Sequence, residues 1–150
     1  MKQYKLTIEL VPKPLWSSNP RLAMGRAKWD RLRRQVYEDY GHRCGICGAE
    51  GRLEAHECWE YDDDARVQRL SAFVALCGAC HRVKHLGLAS ILAKEGKADM
   101  EGLRRHFMDV NGCSSREFAA HAEQALNVWR RRSAHEGWTI NWGPYSGFVE

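Results

Sequence analysis

No apolar run in the 150-residue chain is long enough to cross a membrane, because charged residues interrupt every hydrophobic stretch well before about 20 residues. The first ten residues also lack the continuous apolar core of a secretory signal peptide. We therefore expect an intracellular, cytoplasmic protein with no membrane partner. In such a reducing compartment, paired cysteines indicate a metal site rather than disulfides.

Proline is scarce, with only 4 residues, and the chain contains no repeat or low-complexity linker. A hydrophobic content of 44% and a charged content of 28% are typical of a globular protein rather than a disordered one. This length suits a single domain over residues 1–150. No large excess of one charge is present either, since the net charge is +4, which permits a nucleic-acid partner without requiring one.

Cysteine is the informative residue type, because four of the six cysteines stand in two C-x-x-C pairs. Each pair forms a tight turn that directs two sulfurs to one point, and a structural Zn²⁺ takes four such ligands in a tetrahedron. The alternatives are four free buried thiols or two disulfides. We predict a structural zinc bound by Cys44, Cys47, Cys77 and Cys80. Cys58 and Cys113 are interpreted as small packed residues rather than ligands.

Three histidines surround these cysteines and form a second candidate metal site. His81 and His85 are four residues apart on a predicted helix and therefore share a face. Together with His56 from a facing strand, they could hold a divalent ion with open coordination positions, as a catalytic metal requires. Alternatively, the helical pair is solvated, or one member serves the structural zinc. The other histidines are interpreted as structural: His42, His106, His121 and His135.

Basic residues are concentrated between residues 21 and 43. The same segment has an apolar stripe at helical spacing, which predicts a helix over residues 26–40 with that stripe toward the core. The stripe consists of Trp29, Leu32, Val36 and Tyr40. The arginines, including Arg31 and Arg34, then face either solvent alone or the phosphates of a nucleic acid.

The two ends of the chain both alternate apolar and polar residues, as half-buried strands do. Residues 3–11 predict an N-terminal strand, and residues 138–142 predict a terminal strand that could pair with it. We therefore expect residues 1–42 to contain a strand and a basic helix. Residues 87–150 should form a helical extension with a terminal strand.

Three helices are predicted in that extension. The first runs from Leu86 to Lys94, continuing from the second cysteine pair. Asp99 can cap the second, which residues 111–112, Asn-Gly, terminate. Residues 114–117 read as a capping box that opens the third, and three arginines at 130–132 suit the negative end of its dipole.

The spacing of cysteines and histidines resembles that of HNH endonucleases of the four-cysteine type, which are ββα-metal nucleases built on a treble-clef zinc knuckle. The shared pattern is a C-x-x-C, an L-E-x-H strand and a stretch that reads L-C-x-x-C-H-x-x-x-H. Here it corresponds to Cys44 and Cys47, to residues 53–56, Leu-Glu-Ala-His, and to residues 76–85. The resemblance covers residues 43–86, less than a third of the chain.

The resemblance implies an α+β fold with a treble-clef ββα-metal core, flanked by the N-terminal strand and helix and by the helical extension. It also implies metal-dependent hydrolysis of phosphodiester bonds in DNA. The catalytic ion, Mg²⁺, Mn²⁺, Ni²⁺ or Zn²⁺, would polarise the scissile phosphate while a general base activates water. The implied ligands of that ion are His56, His81 and His85, with His56 and Glu57 as catalytic residues. The expected phosphate contacts are Arg31, Arg34, Arg82 and Lys84.

Two positions depart from the family pattern. Glu57 stands where the second histidine of the strand is usual, and Ala72 stands where an asparagine is expected. Glu57 could be the general base, or His56 could be the base with Glu57 as a metal ligand. A third interpretation is a catalytically degenerate zinc module that binds nucleic acid or a protein partner through the same surface. A protein partner could also bind the C-terminal extension.

Overall fold

The structure is a computed structural model that describes residues 3–87, 94–96 and 99–149. Within these residues the fold is α+β, as predicted, with a small three-stranded sheet among helices. The strands are β1 (Leu53–Asp62), β2 (Val67–Cys77) and β3 (Thr139–Asn141). The helices are α1 (Pro20–Met24), α2 (Arg26–Asp39), α3 (Gly78–Lys84), α4 (Met100–Asn111) and α5 (Ser115–Ser133), with 3-10 turns at Lys13–Leu15 and Gly143–Phe148. None of the helices described is both long enough and apolar enough to cross a bilayer.

A long antiparallel hairpin of β1 and β2 runs directly into α3 and forms a ββα unit. At its tip, the Asp62 carboxylate accepts hydrogen bonds from the backbone N–H groups of Asp64 and Ala65, at 3.1 and 2.9 Å. Such side-chain acceptors favour tight turns. The register shifts between Cys58 and Trp59, so a bulge interrupts β1 just after His56 and Glu57.

The predicted helices that lie in the described residues are confirmed, together with their caps. Asp99 accepts a hydrogen bond from the Gly102 N–H at the start of α4, and Gly112 ends it with φ of 59°. The Ser114–Glu117 capping box opens α5. The helix expected from Leu86 to Lys94 includes residues 88–93, which lie outside the described part.

One prediction for the basic segment needs correction. Tyr40 was expected on the buried stripe of α2, but it is the C-cap residue and is 40% exposed, since the helix ends at Asp39. A short helix that was not predicted, α1, precedes α2. Asn19 caps α1 by accepting from the Leu22 N–H, and Pro20 occupies the first turn, where it is favourable.

The predicted N-terminal strand is wrong, because residues 3–11 join no sheet. The alternation does bury Leu6 and Ile8, but their backbone groups bond elsewhere. The Asn111 amide group accepts from the Leu6 N–H and donates to the Leu6 carbonyl, at 3.0 and 2.8 Å. The Ile8 N–H donates to His121 Nε2 at 2.9 Å. Side chains of α4 and α5 thus replace the neighbouring strand.

The terminal strand is present but has another partner. β3 pairs in parallel with β2, from Val67 opposite Thr139 to Arg69 opposite Asn141. The predicted pairing with the N-terminal segment is therefore wrong, because that segment packs against α4 and α5 instead.

The sheet separates two clusters of buried side chains. One lies among the N-terminal segment, α3 and α4, and includes Leu6, Leu76, Val83 and Phe107. The other lies among α1, α2 and the opposite face of the hairpin, and includes Met24, Trp29, Leu70 and Phe73. Since each face of the hairpin is buried, its position relative to the helices is fixed on both sides.

Candidate metal centres

The four predicted cysteine ligands meet at one point between the two C-x-x-C turns. Their sulfur atoms all lie within 4.8 Å of one another. Cys47 Sγ and Cys77 Sγ are 3.6 Å apart, close to the about 3.8 Å expected between ligands of a tetrahedral site with 2.3 Å Zn–S bonds. This cluster can hold a metal ion and is consistent with a structural zinc.

The backbone shapes both turns, which we call the first knuckle (residues 44–47) and the second knuckle (residues 77–80). In each, the N–H of the last cysteine points at the sulfur of the first, at 3.5 Å from Cys47 N to Cys44 Sγ and 3.5 Å from Cys80 N to Cys77 Sγ. The Gly45 N–H donates to the Ala75 carbonyl at 2.7 Å, which ties the first knuckle to β2. The hairpin therefore brings the two knuckles together.

The thiols shift one another's ionisation. Burial raises the pKa of Cys44, but the amide groups of the knuckles outweigh it and lower the pKa to about 7. Burial and the neighbouring Cys44 and Cys77 raise the pKa of Cys80 far above its usual range. Four sulfurs this close cannot all be anionic without a cation among them, and a divalent metal ion supplies that charge.

His106, which the sequence analysis left as a structural residue, contacts this cluster. Its Nε2 lies 3.1 Å from Cys80 Sγ, and the residue belongs to α4. An imidazole N–H beside a metal-binding sulfur orients that ligand and moderates its charge. Its position in the sequence gave no signal of this contact, because His106 follows Cys80 by 26 residues and belongs to a different helix.

The three predicted histidine ligands also come together. His56 lies on β1, His81 on α3 and His85 at the C-cap of α3. One ligand nitrogen from each lies within 4.8 Å of the others, and the ring centroids are 4.8 to 5.2 Å apart. We call these three residues the histidine cluster. The (i, i+4) spacing places two rings on one side of α3, and the hairpin supplies the third.

His56 is the most informative member of the cluster because it is 2% exposed. Neither of its ring nitrogens has a hydrogen-bond partner among the described residues. A buried polar atom without a partner costs roughly 1–3 kcal/mol, and native proteins have few of them. A divalent ion among the three imidazoles would be bound by one of these two nitrogens, so the residues present fit a metal.

Carboxylates lie behind two of the three imidazoles. Glu54 Oε2 contacts His81 Nδ1, and Glu9 Oε2 lies 3.6 Å from His56 Nε2. Such carboxylate–histidine pairs typically orient imidazoles that bind metals. Glu54 is part of the L-E-x-H pattern but was given no role. Glu9 could not be found from the sequence, because only the tertiary contacts of the N-terminal segment bring it to His56.

Burial favours the neutral form of His81 and His85, which is the form of imidazole that binds metals. It lowers the pKa of His85, and the adjacent His56 and His81 lower it further, to about 3. Burial and His56 also lower the pKa of His81. For Glu9, burial raises the pKa, but His56 and the Lys84 ammonium reverse the effect and bring the pKa to about 2.

Glu57, the predicted general base, is not among the residues whose ligand atoms form the cluster. It is opposite Phe73 in the hairpin register, whereas His56 is opposite Val74, so the two residues leave β1 on different faces. Glu57 nevertheless lines the same cavities as His85. Ala72 lies across from Cys58, beside the bulge.

Lys84 was predicted to contact phosphate, but the structure gives it another role. It is 7% exposed, and its Nζ donates to Thr7 Oγ1 at 2.9 Å and to Glu9 Oε1 at 3.0 Å. The expectation is therefore corrected, because an ammonium enclosed by these two oxygens cannot reach a ligand in solvent. Arg82 and the α2 residues Arg31 and Arg34 are exposed, in keeping with their predicted accessibility.

A cleft of about 1140 Å³ borders the histidine cluster at His81 and Glu54. Four arginines line it, and it is called here the arginine cleft: Arg21, Arg26, Arg33 and Arg52. Asp30 neutralises one of them through a 2.9 Å ion pair with Arg33. The arginines beside the cluster are thus different from Arg31 and Arg34, which do not line the cleft.

Comparison of the chain with protein-family models, with curated proteins and with solved structures finds no significant match.

Proposed function

We propose that the protein is a metal-dependent endonuclease that hydrolyses phosphodiester bonds in DNA, with a treble-clef ββα-metal core of the HNH type. The observation that carries the proposal is the histidine cluster, in which the ring nitrogens of the buried His56 make no hydrogen bond to the described residues and lie beside His81 and His85. The cluster borders the arginine cleft, whose charge suits the phosphates of DNA.

In this proposal the four cysteines hold a structural Zn²⁺ and the three histidines hold a second divalent ion. When bound there, that ion supplies Lewis-acid polarisation of the scissile phosphate and stabilises the leaving oxygen. Glu54 orients the His81 ring, and Glu9 lies behind His56. The arginines of the cleft bind the phosphates on either side of the cut.

The general base in this scheme is Glu57, which lines a cavity together with His85 and is partly exposed to solvent. Glu9 is a poor base because its pKa of about 2 leaves its carboxylate little affinity for a proton. His56 is a poor base because it is buried, and it suits a ligand role better. Glu9 is therefore a positioning residue for His56.

One observation favours the second candidate function, a zinc module that binds nucleic acid or a protein without cutting. Glu57 is not among the residues whose ligand atoms meet in the histidine cluster, and it leaves β1 on the face opposite to His56. Ala72 lacks the amide of the usual asparagine. Under this alternative the histidine cluster stabilises the fold and the arginine cleft binds the partner.

The test is nicking of supercoiled plasmid DNA with Mg²⁺, Mn²⁺, Ni²⁺ or Zn²⁺, combined with metal analysis of the purified protein. We expect divalent-ion-dependent nicking that His85→Ala abolishes, while the zinc bound by the cysteines remains. Glu57→Gln should lower the rate roughly 10²–10⁴-fold, as expected for loss of a general base, without changing metal content.

Arg116→Ala is the matched control, because Arg116 is exposed on α5 and lines neither the cleft nor the cavities at His85. It should cut like the parent. A parent protein that binds one zinc and nicks DNA with none of the four ions would contradict the endonuclease proposal and favour the binding module. Loss of metal in Glu57→Gln would instead make Glu57 a ligand.

A further inference from the structure

A second cavity borders the histidine cluster at His85 and differs in character from the arginine cleft. It has a volume of about 680 Å³, and three tryptophans contribute to its wall. We call it the aromatic pocket, with Trp16, Trp59, Trp129, Glu9, Glu57 and His85 among its lining residues. Its charged groups include two carboxylates and no arginine or lysine, so phosphate is not its ligand.

Trp16 is a rigid, exposed ring in this pocket. It is 58% exposed, although its indole N–H donates to the Val11 carbonyl at 2.7 Å. The Trp129 indole N–H donates to the same carbonyl at 2.9 Å, and the two rings are stacked at 6.1 Å and 21°. Its own hydrogen bond and the stacking on Trp129 therefore fix the plane of the Trp16 ring, while much of its surface stays open.

A ligand for this pocket should be flat and aromatic, uncharged, and joined to a phosphate that reaches the histidine cluster. A nucleobase meets each condition, since bases are flat and uncharged, stack on tryptophan and are joined through a sugar to a phosphate. A base inside a duplex is stacked on both faces and cannot offer one to Trp16. The base must therefore be unpaired.

We infer that the aromatic pocket receives an unpaired base of the DNA strand, next to the phosphate at the histidine cluster, with Trp16 as the stacking platform. The inference rests on the proposed function for its choice of DNA. It adds a substrate class, namely single-stranded or locally unpaired DNA. The arginine cleft then contacts the phosphate backbone of the DNA, and the aromatic pocket contacts the unpaired base.

The experiment measures binding by fluorescence anisotropy of a short single-stranded DNA, without added divalent ion, against the same DNA with a central abasic site. The parent should bind the intact strand more tightly and show quenching of tryptophan fluorescence. Trp16→Ala should lose roughly 5- to 100-fold in affinity for the intact strand and discriminate less against the abasic one. Trp16→Phe should retain most of both.

Tyr40→Ala is the matched control, because Tyr40 is an exposed aromatic residue that does not line the pocket. It should bind like the parent, and thermal melting establishes that each variant is folded. Parental affinity and discrimination in Trp16→Ala would overturn the inference, as would absence of binding to either strand. Because binding is read without cleavage, a protein that binds as expected but nicks nothing would defeat the proposed function alone.

Discussion

At the scale of single residues, Lys84 links helix α3 to the N-terminal segment. Its ammonium group donates hydrogen bonds to the side chains of Thr7 and Glu9. The backbone carbonyl of Lys84 also accepts a hydrogen bond from the Glu9 N–H, at 3.1 Å. Glu9 in turn lies against His56. A buried cation therefore holds in place the carboxylate that stands behind the histidine cluster.

Lys84→Met tests this structural role. It keeps most of the apolar stem but leaves Glu9 and Thr7 without their donor, so we expect the free energy of unfolding to fall by about 1–3 kcal/mol. Urea titration measures that loss. The salt dependence of DNA binding should keep its slope, because Lys84 contacts no phosphate.

Arg26→Ala combined with Arg52→Ala is the comparison, since both residues line the arginine cleft. Each phosphate contact that is lost should reduce the salt slope by roughly one. A Lys84→Met protein of parental stability with a reduced slope would restore the phosphate role that was first expected for Lys84.

Among the elements, the two knuckles have the same sequence pattern but different surroundings. Both place glycine after the first cysteine, at Gly45 and Gly78. A Cβ atom on Gly45 would lie 2.6 Å from Tyr40 Cε1 and 2.8 Å from Val74 Cγ2, whereas one on Gly78 would meet nothing within 4 Å. The first knuckle therefore needs glycine for close packing against the hairpin, and the second does not.

Gly45→Ala should destabilise the protein by about 1–3 kcal/mol, because Val74 is held in the sheet and cannot move away from the new methyl group. Gly78→Ala should be neutral or slightly stabilising, because alanine is a better helix former than glycine and Gly78 begins α3. Thermal melting of the zinc-loaded proteins compares the two. Equal melting temperatures would contradict the packing difference.

The elements also mark how far the sequence could predict the fold. Helices α2, α4 and α5 were predictable because periodicity, caps and terminal glycine are local signals. The predicted pairing of the N-terminal and terminal strands was wrong. Alternation indicates which side chains are buried, but not which partner forms hydrogen bonds with the backbone N–H and carbonyl groups. Leu6 bonds to the side chain of Asn111, and β3 pairs with β2.

The candidate sites also contain some residues that the sequence could predict and others that it could not. The cysteine and histidine clusters were predictable because the spacing of these residues within a short stretch constrains them to one place. Glu9 and His106, which lie around these clusters, were not predictable because each comes from a distant part of the chain. The basic segment was recognised, but its sequence did not reveal which of its arginines line the cleft. The phosphate contact predicted for Lys84 was wrong, because the sequence does not show that the N-terminal segment buries this side chain.

For the whole molecule, the cysteine cluster joins the loop before the hairpin to the start of α3. The sheet has only three strands and β3 is three residues long, so the four ligands are a main constraint on the hairpin ends. Structural zinc sites of this kind contribute on the order of 10 kcal/mol to folding.

Cys44→Ser and Cys77→Ser should therefore each lose zinc and unfold the ββα unit. Metal analysis and circular dichroism measure the two effects, and removal of zinc from the parent by a strong chelator should reproduce them. Cys58→Ser is the matched control, since Cys58 lies on β1 outside the cluster and should keep its zinc. Variants of Cys44 or Cys77 that retain zinc and melt like the parent would contradict the four-ligand assignment.

The attachment of the N-terminal segment to α4 and α5 has a consequence for the order of events during synthesis. All seven predicted ligands lie between Cys44 and His85, so both ligand sets leave the ribosome together. The segment that carries Glu9 has all of its anchors only once Asn111 and His121, which bond to its neighbours Leu6 and Ile8, have also been made. The nascent chain thus passes through a stage in which Glu9, Lys84 and the histidines have been made but the anchors on α4 and α5 have not. Attachment of the N-terminal segment is therefore a late step, completed when the earliest residues of the chain meet the helices that are translated long after them.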